Sequence, residues 1–217
     1  MKKHVLKMIA VLALVATVSS CKGDKANEAT ITEAETVTVA KSTSAKYIVS
    51  ANDSKIDWKG FKPGESHNGT LNIESGTITV NDGVIESGSF LIDMKSITVL
   101  DIPADKKGNA NLKKHLSAAD FFDIEKFPNA AFDVTGSSVV DGKTILSGNL
   151  SIKGIKNNIK IPVSVATGGD EFKMASEAFT IDRTKWGIKF KSKSVFGDLG
   201  DKFINDDIEL KLSLIHI

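Results

Sequence analysis

Three kinds of side chain in this sequence could do chemistry. His67 and His115, taken with Asp101 or Asp120, can be drawn as a general base with its orienting carboxylate, or as part of a metal site. Arg183 is the only arginine among 28 basic residues. A forked, permanently charged guanidinium suits planar, bidentate pairing better than an ammonium does. It fits either an ion pair with Asp182 or another strand-end carboxylate, or recognition of a phosphate or quinone head group. Cys21 is the only thiol, and a thiolate is the strongest nucleophile the chain can offer.

The spacing around these groups narrows the choice. No His-x-x-x-His or cysteine pair gives ligand spacing, and no Gly-x-Ser-x-Gly elbow presents a serine. Helix capping and loop hydrogen bonds account for both histidines more simply than catalysis does. Neither a catalytic constellation, a metal site nor a cofactor is expected. An enzyme acting on a lipid-like substrate, with His67 or His115 as general base, is the alternative from another class.

The setting of Cys21 is more specific. Lys2 and Lys3 precede an apolar run of eleven residues, Met8 to Val18, broken only by Thr17. Crossing a bilayer as a helix takes about 20 residues, so this run is an export signal rather than a span. Val18-Ser19-Ser20-Cys21 then resembles the lipobox of bacterial lipoproteins, in which the cysteine thiol is alkylated by a diacylglycerol and the peptide is cut before it. The other reading is an ordinary signal peptide with an incidental cysteine. Residues 1–20 are therefore expected to be a lipoprotein signal peptide. Residues 21–45, polar and without apolar periodicity, are expected to be a flexible tether carrying a lipidated Cys21. Residues 46–217 are left as one domain.

Loss of the first twenty residues removes Lys2, Lys3 and Lys7, leaving 25 basic residues against 27 carboxylates. No basic field argues for nucleic acid. A lone cysteine allows no internal disulfide, so a hydrophobic core must hold the domain.

The elements that must position any site read as strands. Ile56 and Trp58 alternate with Lys55, Asp57 and Lys59. Ile159, Ile161, Val163 and Val165 alternate with Lys160 and Ser164, and Ile208, Leu210, Leu212 and Leu214 with Glu209, Lys211 and Ser213. Each has one dry and one wet face. Turns are expected at Glu74-Ser75-Gly76, Asn81-Asp82-Gly83, Asp141-Gly142 and Gly168-Gly169. The chain is thus all-β, a barrel or sandwich of largely up-and-down topology. One connection, Leu100 to Asn129, is elaborate. Leu112, His115, Leu116, Ala119 and Phe122 follow helical spacing between Asn109 and Asp123, and the helix must stop before Phe127-Pro128.

That connection also carries a resemblance. His115-Leu116-Ser117-Ala118-Ala119-Asp120-Phe121-Phe122-Asp123 with Lys126-Phe127-Pro128 resembles the hallmark of the YceI-like polyisoprenoid-binding family. Gly148-Asn149-Leu150-Ser151-Ile152-Lys153-Gly154 and Ile181-Asp182-Arg183-Thr184-Lys185-Trp186-Gly187-Ile188 continue it in order. His67-Asn68-Gly69 and Gly88-Ser89-Phe90-Leu91-Ile92-Asp93 lie upstream. Trp186 stands where many relatives carry phenylalanine. The resemblance implies a lipocalin-like antiparallel barrel of about eight strands, an exported protein, and a long apolar ligand inside.

An isoprenoid tail makes no hydrogen bonds, so its site must be a surface of inward apolar side chains. The candidates are Trp58, Phe90, Ile92, Phe121, Phe122, Phe127, Phe132, Leu150, Ile161, Val163, Phe179, Trp186 and Phe190, any of which could equally be packing. Phe121, Phe122, Phe127 and Phe132 cluster beside the elaborate connection and suggest a pocket mouth. Eleven phenylalanines against one tyrosine suit a lining with no hydroxyls to satisfy. The expectation is therefore non-enzymatic binding, sequestration or transport of a polyprenyl chain or quinone in the bacterial envelope (periplasm or outer membrane), with a homodimer left open. A fully packed structural or stress-response barrel without ligand is the remaining alternative.

Overall fold

A computed structural model describes residues 27–168 and 170–216. Cys21 and the apolar leader lie outside the described residues. In chain order the strands are β1 (Asn27–Glu28), β2 (Thr30–Glu33), β3 (Ala45–Ile48), β4 (Lys55–Lys62), β5 (Glu65–Asn81) and β6 (Val84–Asp93). After helix α1 (Lys107–Ser117) come β7 (Asn129–Val140), β8 (Lys143–Ile152), β9 (Ile155–Gly168), β10 (Glu171–Ser176), β11 (Phe179–Asp182) and β12 (Asp207–His216).

Hydrogen bonding closes a ring of eight strands. β4 pairs with β5, each strand from β5 to β10 pairs with the next, β10 pairs with β12, and β12 returns to β4. All these pairs are antiparallel. The barrel expected from the sequence is therefore the fold. Alternation sets which face is dry: Ile159, Ile161 and Val163 are buried while Lys160 and Ser164 are exposed. Asp82-Gly83 and Asp141-Gly142 turn with positive φ at both positions, as a tight hairpin between right-twisted strands requires. Gly168 ends β9 opposite Glu171, and Gly169 lies outside the described residues.

Three expectations need correction. First, Glu74-Ser75-Gly76 is not a turn. β5 runs through it, and the register against β6 shifts between Ile73 and Ser75, a bulge that bends the strand. The bend lets one strand pair with β4 in its first half and β3 in its second.

Second, residues 27–33 are not tether. β1 pairs in parallel with β11, and β2 pairs antiparallel with β9. This arm fills the seam where β11 follows β12 and leaves β9. Ala29 within it is buried, and Asn149 on β8 both accepts from the Glu35 N–H (2.9 Å) and donates to the Glu35 carbonyl (2.7 Å). The folded unit therefore includes Asn27 rather than starting at residue 46.

Third, the helix is shorter than its apolar spacing. It ends at Ser117, where Ala118 turns extended and Ser117 Oγ donates back to the Lys113 carbonyl. Ala119 and Phe122 continue the spacing in a tight turn instead. That turn drives Phe121 into the interior, where it is 5% exposed.

The core has two parts. At the end bearing the β5–β6 and β7–β8 turns, Ile78, Val134, Leu146 and Phe172 are fully buried and fill the barrel. At the other end the interior packs against the long connection through Trp58, Met94, Ile97, Leu116 and Phe121. This second end positions the site.

Candidate functional site

Three cavities lie end to end inside the barrel. The deepest, about 60 Å³, is lined by Phe90, Phe132, Ile161 and Phe179 among others. A middle one of about 100 Å³ is lined by Trp58, Phe121, Phe122, Ile181 and Ile204. These two share Ile56, Ile92, Leu150 and Leu210. An outer cavity of about 410 Å³ lies between α1 and the 190–204 segment, and shares Trp58, Leu116, Phe121 and Ile204 with the middle one. The three cavities thus follow one another from the open end to mid-barrel, an outer one with charged residues on its rim and two apolar inner ones, with Phe121 between the first two and Ile92 and Leu150 between the last two.

The long connection is fastened to β5 to make that end. The Thr98 and Leu100 N–H groups donate to the Thr70 and Asn68 carbonyls at 3.0 and 2.8 Å. Trp58 Nε1 donates to the Thr98 carbonyl at 3.2 Å. The approach needs a glycine at position 69, because a Cβ there would lie 1.8 Å from that carbonyl oxygen. Asp101 finishes the seam. Its Oδ1 accepts from the Asn68 N–H at 2.9 Å, and its Oδ2 lies 2.8 Å from His67 Nδ1. Burial works against ionisation of Asp101, but these hydrogen bonds outweigh it and hold the carboxyl below the usual aspartate range.

The two histidines are not brought together with a common carboxylate. His67 pairs with Asp101, as one of the drawn combinations had it. His115 instead sits between Phe121 and Phe190, with ring centroids at 5.5 and 4.7 Å, and Asp120 is exposed. Both histidines face the outer cavity. Among the described residues no group of three His, Cys, Asp or Glu side chains could hold a metal ion. With both carboxylate oxygens of Asp101 engaged, the His67–Asp101 pair acts as a clasp between β5 and the connection.

Arg183 is a structural keystone whose face touches the site. It sits in the 3-10 turn Arg183–Trp186 that follows β11. Its side chain is fully buried, and Nε, Nη1 and Nη2 donate to the carbonyls of Asn205, Ile188 and Ile204 at 3.0, 2.7 and 3.0 Å. Asp206 lies 3.6 Å from Nη2. Asp182 is occupied elsewhere, capping Thr184. The carboxylate partner is thus the one just before β12. The guanidinium also stands 5.6 Å from the Phe121 ring centroid at the wall of the middle cavity.

Of the phenylalanines grouped by the sequence, Phe121 and Phe122 line the middle cavity with their rings edge to face at 5.0 Å. Phe132 lies deeper, and Phe190 lines the outer cavity. Three candidates line none of the three cavities. Phe127 is half-buried, its ring against Gly154 in the β8–β9 turn. Trp186 is fully buried, its Nε1 donating to the Leu150 carbonyl at 2.9 Å. Val163 is packed in the core. Sequence reasoning missed Ile56 and Leu210, although both sit in strands whose alternation marked them as inward. It also missed Met94, Ile97 and Ile204, which lie in irregular segments where no periodicity points to them.

A ring of eight antiparallel strands, a helical connection over one end and an apolar interior define a lipocalin-like barrel. The YceI-like domain family matches residues 25–215, and the chain belongs to that family. A UPF0312 protein of Pseudomonas putida strain W619 is 28% identical over 102 residues, 46% of this chain and 50% of that one. Protein YceI of Salmonella arizonae is 27% identical over 106 residues, 49% and 53% of the two chains. The chain spans about half the length of the curated relatives it matches. Among solved structures, Burkholderia cenocepacia BcnA superposes with a TM-score of 0.61 at 20% identity, covering 78% of this chain and 99% of that one. A polyisoprenoid binding domain from Saccharophagus degradans, described as implicated in plant cell wall breakdown, gives 0.54 at 12% identity, with 78% and 97% covered.

Proposed function

We propose that this protein binds an isoprenoid-type lipid, a polyprenyl chain or a quinone, in its barrel and holds or carries it in the bacterial envelope. The observation that carries this reading is the series of cavities from the open end to Phe132 and Phe179, the inner two of them wholly apolar. A prenyl tail gains from such a course only by leaving water, at about 25 cal/mol per Å² of apolar surface. The family, and the likeness to a domain named for polyisoprenoid binding, support the same class of ligand. The clasp role of His67 and Asp101 supports sequestration rather than turnover.

The two inner cavities are far below the roughly 300–1,000 Å³ of a typical ligand pocket. A bound tail must therefore displace Phe121 and spread the narrowing at Ile92 and Leu150. Export and a lipid-modified Cys21 complete the proposal. Asn27 is fixed by pairing with Phe179, and the six residues back to Cys21 span at most about 22 Å. The barrel would therefore lie close to the bilayer that holds its anchor.

The test is direct. Protein purified without detergent from bacterial cells is extracted with organic solvent, and the extract is identified by mass spectrometry. A stoichiometric isoprenoid is expected. An empty extract, with no thermal stabilisation after incubation with envelope lipids, would favour a packed barrel and overturn the proposal.

A further inference from the structure

The open end carries a pattern that a buried lipid does not explain. Four phenylalanines line the outer cavity, and three of them, Phe61, Phe190 and Phe203, stand on its lysine-bearing side. Each has a lysine ammonium over its ring: Lys59, Lys191 and Lys193, at 5.2, 5.4 and 4.9 Å from the centroids. Lys62 and Lys202 stand on the same rim. Residues 188–204 hold four lysines against Asp198 and Asp201, so this segment is net positive, whereas the chain without its first twenty residues is net negative. Across the mouth, Glu65 is taken up by Lys62 at 2.5 Å.

The loop within that segment adds apolar surface. Val195 and Phe196 are 44% and 48% exposed, and Phe196 is the most exposed aromatic among the described residues. Exposed aromatic rings flanked by lysines suit a membrane interface. Rings enter the boundary between head groups and acyl chains, while ammonium groups reach back to the phosphates. Each lysine near an anionic surface contributes to attraction, and only such a surface matches the sign of this rim.

We infer that the open end docks on a bilayer surface rich in anionic phospholipid, with Phe196 inserting and Lys191, Lys193 and Lys202 meeting head-group phosphates. The inference rests on the lipid-binding reading and gives it a route. Cargo would pass between bilayer and barrel at the docked mouth without crossing water.

Both core clusters and every described strand lie within residues 27–216, so a chain starting at residue 22 carries the described fold and has no lipid anchor. Its cosedimentation is measured with phosphatidylcholine vesicles and with vesicles containing added phosphatidylglycerol, all free of isoprenoid. Binding to the anionic vesicles alone is expected, weakening steeply as salt rises to about 0.5 M. The variant K191E/K193E/K202E should bind at least about tenfold more weakly while still unfolding cooperatively, its melting temperature lowered only by the loss of two exposed cation–π contacts. F196A should also weaken binding.

Equal binding to both vesicle types, no binding to either, or a triple variant that binds like its parent would overturn docking. Isoprenoid uptake from detergent solution is measured separately by thermal shift. A protein that takes up isoprenoid but ignores vesicles loses only the docking inference, whereas one that docks but takes up nothing loses only the cargo.

Discussion

The ring of Phe132 occupies the place where position 148 would carry a side chain. A Cβ on Gly148 would lie 2.2 Å from Phe132 Cζ and within 2.7 Å of two further ring carbons. Phe132 on β7 and Gly148 on β8 are diagonal neighbours, through the pairs Phe132–Leu150 and Val134–Gly148. The glycine leaves room for an aromatic floor to the deepest cavity.

Gly148→Ala should therefore strain the barrel, with an overpacking cost of about 1–3 kcal/mol. Each kcal/mol corresponds to about 2–4 °C of melting temperature for a domain of this size. Adding Phe132→Leu should recover part of the loss, because the smaller side chain vacates the contested space. Urea unfolding of the two single variants and the double variant measures this coupling, and strictly additive effects would contradict it.

Ile92 borders both inner cavities. Ile92→Trp should put its ring across the junction and shorten the usable course. The variant is expected to fold and to retain short prenyl chains while losing long ones. Competition between prenyl alcohols of increasing length, read by thermal shift, checks this. Unchanged retention of the longest chain would mean that the tail takes another path.

Arg183→Lys tests whether the guanidinium holds the fold or the ligand. A lysine keeps the charge but cannot serve three carbonyls in fork geometry. Stability should fall by about 1–3 kcal/mol, the scale on which a buried hydrogen-bonding group is left unpaired. Isoprenoid bound per folded molecule should not change. A variant of normal stability that has lost its lipid would give Arg183 the head-group role instead.

Acid should loosen the open end first. In Asp101 the upward push of burial is outweighed by hydrogen bonds from Asn68 and His67. In Asp206 it is outweighed by hydrogen bonds from Ser192 and Ser194 and by the charge of Arg183. Both carboxyls are held below the ordinary aspartate value of about 3.9. A depressed folded-state value contributes stability that is complete above the unfolded value and is lost as pH falls through the folded one. Stability should thus be flat with respect to these two groups above about pH 5 and decline below about pH 4. Asp101→Asn should flatten that decline, and melting curves at stepped pH values would reveal it. An identical acid limb in the variant would remove Asp101 from the account.

What could be read from the sequence was what local pattern determines. Ile159, Ile161 and Val163 had to face one way because strand side chains alternate. Asp82-Gly83 had to turn because few other residue pairs tolerate two successive positive φ angles. The arm at Asn27–Glu33 could not be read this way, since its sequence is polar and its partners lie more than a hundred residues away in β9 and β11. Glu74 gave a turn signal and produced a bulge, because neighbouring strands on both sides held β5 extended through it. Among the site residues, Phe121 and Phe132 came from composition and clustering. The same clustering included Phe127, which lines none of the three cavities, because adjacency in sequence does not say which way a ring will turn.

The parallel pairing of Asn27 with Phe179, with the antiparallel pairing of Glu33 with Asn157, also sets an order of events. Contacts between the two ends of a chain form late, because the intervening loop must first be closed. The opening residues of the fold have nothing to join until β9 and β11 exist, so the seam between those strands is stitched late, as is the β4–β12 pairing that completes the ring. Until then the interior is reachable from the side as well as through the mouth. A newly made molecule thus has a brief interval in which it could be filled laterally, before its own first residues shut that side.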